Sequence, residues 1–230
     1  MSVIDDIRKK LLVEHIYDGL IPQEKSKVHG WTADEYRDFL RDLFLRFPKE
    51  RELIFIEVGV WMGSSAIIAA DVLKELGIKG CIICVDTWLG SPEHYQHIPR
   101  VRGYPTIYNT FIQNVINYGH DDVIIPVALP STQAIKVFEQ LNIRADIVFI
   151  DAAHEYMPVF LDCIDYFNIL KPGGEMMGDD YNEAWPEVIK AVDDFIGFVK
   201  TPIKIVGNRV WHFQRPESNT TLIQIRPPHS

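Results

Sequence analysis

Five short apolar runs, LIFIEV (53–58), CIICVD (81–86), DVIIPV (122–127), DIVFID (146–151) and GGEMMG (173–178), alternate with longer amphipathic stretches near 64–77, 107–118, 131–140, 156–169 and 184–198. Short apolar runs of this kind form strands, and a helix-length segment between two of them is the crossover that parallel pairing requires. The alternation predicts an α/β fold: a doubly wound, mostly parallel sheet with helices on both faces. Two further runs, 202–206 and 209–214, are joined by the tight-turn sequence Val206-Gly207-Asn208-Arg209, so the sheet is expected to end in an antiparallel hairpin.

Ahead of the sheet, 3–17 and 32–47 read as helices, the second opened by Thr32 as N-cap with Glu35 three residues on. Residues 1–50 are therefore expected to form a helical cap and residues 51–230 the main domain. The stretch 87–106, TWLGSPEHYQHIPRVRGYPT, follows neither periodicity and reads as a long loop, and loops of that length in compact domains are usually functional or mobile. Beyond Arg215 a Pro-rich polar tail surrounds a short TLIQI run, which fits either a swapped strand or a frayed end.

The net charge of −9 leaves no basic stripe to collect phosphates, which argues against nucleic acid as a partner. No apolar run approaches the ~20 residues of a membrane span, and the start MSVIDDIRKK lacks an apolar targeting segment, so a cytoplasmic protein without a membrane partner is expected. Cys81, Cys84 and Cys163 suggest no disulfide framework. The first two are spaced C-x-x-C, yet lie in a strand, where positions three apart face opposite sides, so redox or zinc chemistry is not expected of them.

Three strand ends carry chemistry. After the first strand, Glu57-Val58-Gly59-Val60-Trp61-Met62-Gly63-Ser64-Ser65 supplies a glycine where a backbone can approach closely, then opens a helix whose amides face the crevice. Its glycines are spaced differently from a dinucleotide fingerprint, and the preceding carboxylate would repel a phosphate but suit an ammonium. A tight turn with an incidental Glu57 is the alternative. Asp86 ends the second strand where an acid accepts bonds from ribose hydroxyls, or stands there merely as an exposed strand end. Downstream, FIDAAHEY ends in Asp151 and GDDY in Asp179-Asp180.

Taken together, FIEVGVWMGSS, VDTW and KPGGEMMGDDY resemble the motifs of the class I S-adenosylmethionine-dependent methyltransferases, whose sheet is Rossmann-like; the likeness spans about residues 50–214. DTWLGSPEH, FIDAAHEY and GDDY look most like the magnesium-using branch of macrolide-sugar O-methyltransferases and cephalosporin-hydroxylase-like proteins. The resemblance implies Glu57 and Gly59 against the methionine part of the cofactor, Ser64 near its carboxylate, Asp86 with Thr87 at the ribose, and Ser131 at the adenine. Plain N-capping is the alternative for Ser131. It further implies magnesium held by Asp151, Asp179 and Asp180, a metal suited to all-oxygen ligands. Stabilisation of these acids by solvent or by a helix N-terminus is the alternative.

His154, three residues past Asp151, is placed to share its pocket, and an imidazole there suits general-base work at neutral pH. His94 and His97 lie on an irregular loop with no fixed face, so substrate contact or exposure is expected rather than metal ligation. Trp88, Tyr95, Tyr104 and Tyr108 make the loop a candidate lid. The expected activity is methyl transfer to a hydroxyl of a small molecule, a sugar or natural product, with homo-oligomerisation left open. A nicotinamide-dependent oxidoreductase and a non-catalytic cofactor-binding scaffold are the rival readings, because one fold hosts many functions.

Overall fold

The computed structural model describes residues 2–33 and 35–217; the TLIQI run of the tail lies outside them. The strands are β1 (Leu53–Val58), β2 (Gly80–Asp86), β3 (Arg100–Val101), β4 (Tyr104–Pro105), β5 (Ile124–Ala128), β6 (Ala145–Ile150), β7 (Leu170–Gly178), β8 (Lys204–Val206) and β9 (Val210–Gln214). The helices are α1 (Val3–Lys10), α2 (Tyr36–Phe44), α3 (Ser64–Glu75), α4 (Ile107–Tyr118), α5 (Ser131–Gln140), α6 (Tyr156–Ile169) and α7 (Pro186–Val199).

Seven strands form one sheet in the order β5-β2-β1-β6-β7-β9-β8. The first five run parallel, and β9 pairs antiparallel with β7 and with β8, as the alternation and the final turn predict. The chain builds outward from β1 to β2 and β5, then returns to place β6 on the other side of β1. That reversal opens a crevice beyond the C-terminal ends of β1 and β6, the usual ligand position in such sheets.

Alternation along each strand divides the interior into two apolar layers. Ile54, Ile56 and Val58 pack with α1, α5, α6 and α7, whereas Leu53 and Phe55 pack with α2, α3 and α4. Cys81 and Cys84 fall in opposite layers, both buried and unbonded to each other. Among the described residues, no helix is long and apolar enough to cross a membrane.

The N-terminal region departs from expectation. Helix α1 ends at Lys10 rather than near 17, because Leu12 turns the chain at φ 58°, a conformation no helix continues through. Helix α2 starts at Tyr36 with Glu35 at its N-cap, and no side chain caps it. Thr32 instead donates its hydroxyl to Ser64 Oγ at 3.0 Å, a tertiary bond in place of the local capping box. Residues 20–33 have no regular secondary structure and form a strap over α4. Gln23 N donates to Asn117 Oδ1 (2.7 Å), Gln113 Nε2 to the Ile21 carbonyl (3.1 Å) and the Tyr118 hydroxyl to the Ser26 carbonyl (3.0 Å). Helix α2 itself is no loose appendage, since Tyr36, Leu40, Leu43 and Phe44 are buried in the layer that holds β1 and α3.

Candidate active site

The crevice at the strand reversal is a cleft of about 600 Å³, within the ~300–1,000 Å³ range of small-molecule sites. Gly59 fixes how tightly its floor is built. With φ at 83°, a Cβ there would lie 1.9 Å from the Asp151 carbonyl oxygen and 2.6 Å from Ala152 Cα. The glycine is therefore required first by the β6 loop crossing beside it, and the close approach is between two backbones of the protein itself.

On the cofactor side, Gly59, Ser64, Asp86, Thr87 and Ser131 line the cleft together, but Glu57 does not. Glu57 lies fully buried behind the wall, where Oε1 accepts a hydrogen bond from Ser65, a wall residue, and Oε2 has no partner. Burial pushes its carboxyl up to about 8 from an ordinary 4.5, against the opposing Ser65 bond. A carboxyl whose pKa is raised by folding contributes stability that is full below its ordinary value and is lost as pH rises through the folded value. Glu57→Gln, which cannot ionise, is expected to flatten that loss between about pH 5 and 8, by up to ~1.4 kcal/mol per pH unit. Urea denaturation at both pH values checks this, and identical pH dependence in both proteins would contradict it.

Asp86 already organises the turn. Its Oδ2 accepts from Val60 N (2.8 Å) and Trp61 N (2.9 Å), and its Oδ1 from Trp88 N (2.7 Å). A carboxylate offers about four lone-pair sites, so these three amides leave about one for a ribose hydroxyl. Thr87 Oγ1 accepts from Leu89 N at 3.2 Å. Ser64 opens α3 after Gly63, and no side chain caps that helix, so its first amides stay available to an anionic group. Ser131 is not the N-cap of α5: Pro130 holds that position, and the Ser131 hydroxyl bonds to Asp162 of α6, whose carboxyl burial raises to about 7. The uncapped start of α3 fits an anionic group of a ligand.

On the opposite side, Asp151, His154 and Asp180 line the cleft with Trp185 and Arg209. The His154 ring stacks on Trp185 with centroids 3.8 Å apart and planes inclined by 13°. Its Nε2 lies 3.0 Å from Asp180 Oδ2. An ionised carboxylate there accepts from Nε2–H, the pairing that leaves Nδ1 of a neutral imidazole as the acceptor. Asp180 adopts φ 61°, the left-handed region that Asp tolerates better than most side chains, and its own N–H donates to Asp179 Oδ1 at 2.7 Å. Arg209 donates through Nε to Asp179 Oδ1 (2.5 Å) and through Nη2 to Asp180 Oδ1 (3.0 Å). Burial, then the negative charges of Asp179 and Asp180, hold the Asp151 carboxyl well above the usual range. Burial also raises Asp179, against Arg209. Among the described residues, no group of three or more His, Cys, Asp or Glu side chains is arranged to hold a metal ion.

The mouth of the cleft is aromatic. The strap brings His29, Gly30, Trp31 and Thr32 to its wall, and the 87–106 loop brings Ser91 to His94. Trp31 stacks on His94 with centroids 4.1 Å apart, Trp61 donates Nε1 to His29 Nδ1 at 3.0 Å, and His97 faces His29 at 5.9 Å. His94 and His97 both meet Trp31, the first stacked and the second edge-on with centroids 6.4 Å apart. Of the loop aromatics, Trp88 is buried against Phe111 and Tyr108, while Tyr95 and Tyr104 are exposed. The residues that sequence reasoning assigned no role are Ser65, Trp61, Trp31, Trp185 and Arg209. Only Arg209 had a usable signal: a hairpin folding back along β7 must end beside the acids that follow β7.

A family model described as Methyltransferase domain matches residues 56–181, more than half of the chain. Uncharacterized protein R132 of Acanthamoeba polyphaga mimivirus is 25% identical over 178 residues, 76% of this chain and 73% of that protein. Among solved structures, the calicheamicin methyltransferase CalS11 is similar with a TM-score of 0.58 at 17% identity, covering 77% of this chain and 76% of the other. An O-methyltransferase from Bacillus cereus in complex with SAH has a TM-score of 0.56 at 12% identity, covering 90% of each chain. At these identities the structural likenesses speak to the fold.

Proposed function

Because the chain belongs to the methyltransferase-domain family of S-adenosylmethionine-dependent enzymes, we propose that it transfers a methyl group to a hydroxyl of a small molecule, a sugar or another natural product, with His154 as general base. The observation that carries this reading is the imidazole itself, held 3.0 Å from Asp180 through Nε2, stacked on Trp185 and lining the cleft. When bound, S-adenosylmethionine supplies an electrophilic methyl group on a sulfonium. Ser64 and the uncapped start of α3 would hold its carboxylate, Asp86 and Thr87 its ribose edge, and Ser131 the adenine end. Glu57 would act through Ser65.

His154 Nδ1 takes the proton of the acceptor hydroxyl. The imidazolium that results is stabilised by Asp180, the arrangement in which a carboxylate both orients a histidine and supports its charged form. Trp31, Trp61 and His94 at the mouth position the acceptor and exclude water. The family assignment favours this chemistry over nicotinamide-dependent oxidation, and the aligned histidine favours it over a scaffold without turnover.

Magnesium dependence, implied by the resemblance to the metal-using branch, fits these side chains less well. Asp179 and Asp180 already have a cation between them in Arg209, so no step of the reaction is assigned to a metal. Isothermal titration of the purified chain with S-adenosylmethionine tests the proposal. Saturable binding at about one site per chain is expected both in EDTA and in magnesium, and absence of binding in both would sink it.

A further inference from the structure

The acids that end β6 and β7 need a neutralising charge, since Asp151 and Asp180 face the cleft with Asp179 buried beside them, and neighbouring carboxylates repel one another. The fold supplies one from its own chain. Strand β9 pairs antiparallel with β7, with Gly178 opposite Trp211, so the β8–β9 turn is carried back to the residues just past β7. Tyr181 N donates to the Arg209 carbonyl at 2.9 Å and fastens the turn there. From that anchor the guanidinium spans both acids, with Asp179 almost wholly buried and Asp180 nearly so.

The oxygens of the pair are largely committed. Asp179 Oδ1 accepts from Arg209 and from the Asp180 amide, Asp180 Oδ1 accepts from Arg209, and Asp180 Oδ2 accepts from His154. A hard cation would need several of those oxygens at once. To enter, it would have to expel the guanidinium and detach the carboxylate that aligns His154.

We infer that Arg209 stands in for a divalent cation: it is a positioning residue that neutralises Asp179 and Asp180, fixes Asp180 against His154, and makes this site independent of metal. The inference rests on the methyl-transfer reading for its role in catalysis, but its central claim concerns metal affinity and is measured separately.

The test is titration of the full chain with Mn2+, followed by electron paramagnetic resonance, for the wild type, Arg209→Lys and Arg209→Ala. The wild type and Arg209→Lys are expected to bind Mn2+ at the cleft only weakly, without saturation. Arg209→Ala uncovers the acids and is expected to bind Mn2+ at least ~10-fold more tightly than the wild type, an affinity lost again when Asp151→Asn is added. A merely structural arginine would not produce that gain. Stoichiometric Mn2+ binding by the wild type overturns the inference, as does an Arg209→Ala protein that folds and stays metal-free. Should Arg209→Ala fail to fold, the wild type and Arg209→Lys still decide it. Titration with S-adenosylmethionine in EDTA separates the two proposals: absent cofactor binding is a failure of the methyl-transfer reading, whereas intact cofactor binding with Mn2+ bound to the wild type is a failure of this one alone.

Discussion

Replacing His154 by alanine is expected to slow methyl transfer about 10²–10⁴-fold, the range that a positioned general base contributes, while leaving S-adenosylmethionine affinity within about twofold. The two effects separate because His154 stands on the acid side of the cleft with Asp180 and Trp185, across from the Ser64, Thr87 and Ser131 edge. Such a loss corresponds to ~3–5 kcal/mol of transition-state stabilisation. It is read as release of S-adenosylhomocysteine over a panel of hydroxylated sugars and phenols, with cofactor binding followed by titration. Asp180→Asn is expected to fall between the two proteins, since the ring keeps its stack on Trp185 but loses the carboxylate that fixes its tautomer and supports its positive charge. A His154→Ala protein with wild-type turnover on an accepted substrate would remove the residue from the mechanism.

Gly59→Ala is expected to be the most damaging single-methyl change in the sheet, costing about 3 kcal/mol or more. Two penalties coincide there. The left-handed backbone conformation costs an alanine about 1–2 kcal/mol, and the added methyl would meet the Asp151 carbonyl oxygen at 1.9 Å, where backbone rather than a flexible side chain must yield. Gly77 separates the penalties, having φ 65° and open space around the missing Cβ. Gly77→Ala should show only the conformational cost. Urea denaturation of the two variants measures the difference, and equal losses would mean that the β1 and β6 loops part without strain.

The strands, the crossover helices and the final hairpin were legible because each is written locally, in apolar runs and in a turn sequence. Glu57, Asp86, Asp151 and Asp180 were legible as strand ends for the same reason. Their partners were not. That Asp86 is occupied by three amides, that Glu57 faces Ser65 rather than the cleft, and that Arg209 reaches the acids all depend on which distant segments lie side by side. Thr32 shows the limit most plainly. Thr32 and Glu35 satisfy the local pattern of a capping box, yet a hydroxyl on α3 offers Thr32 a different partner, and the helix starts later without it.

The strap that carries His29, Trp31 and Thr32 to the cleft also sets an order of events during synthesis. It leaves the ribosome before any surface it rests on exists: Ser64 follows Thr32 by 32 residues, and Asn117 follows Gln23 by 94. The pairing that builds the floor is as distant, with Phe55 of β1 opposite Ile147 of β6. The strap and α4, the helix it rests on, are both made before β6, the strand that completes the floor. The His29 and Trp31 edge of the cleft is thus synthesised, together with its support, ahead of Asp151, His154 and Asp180 on the other edge.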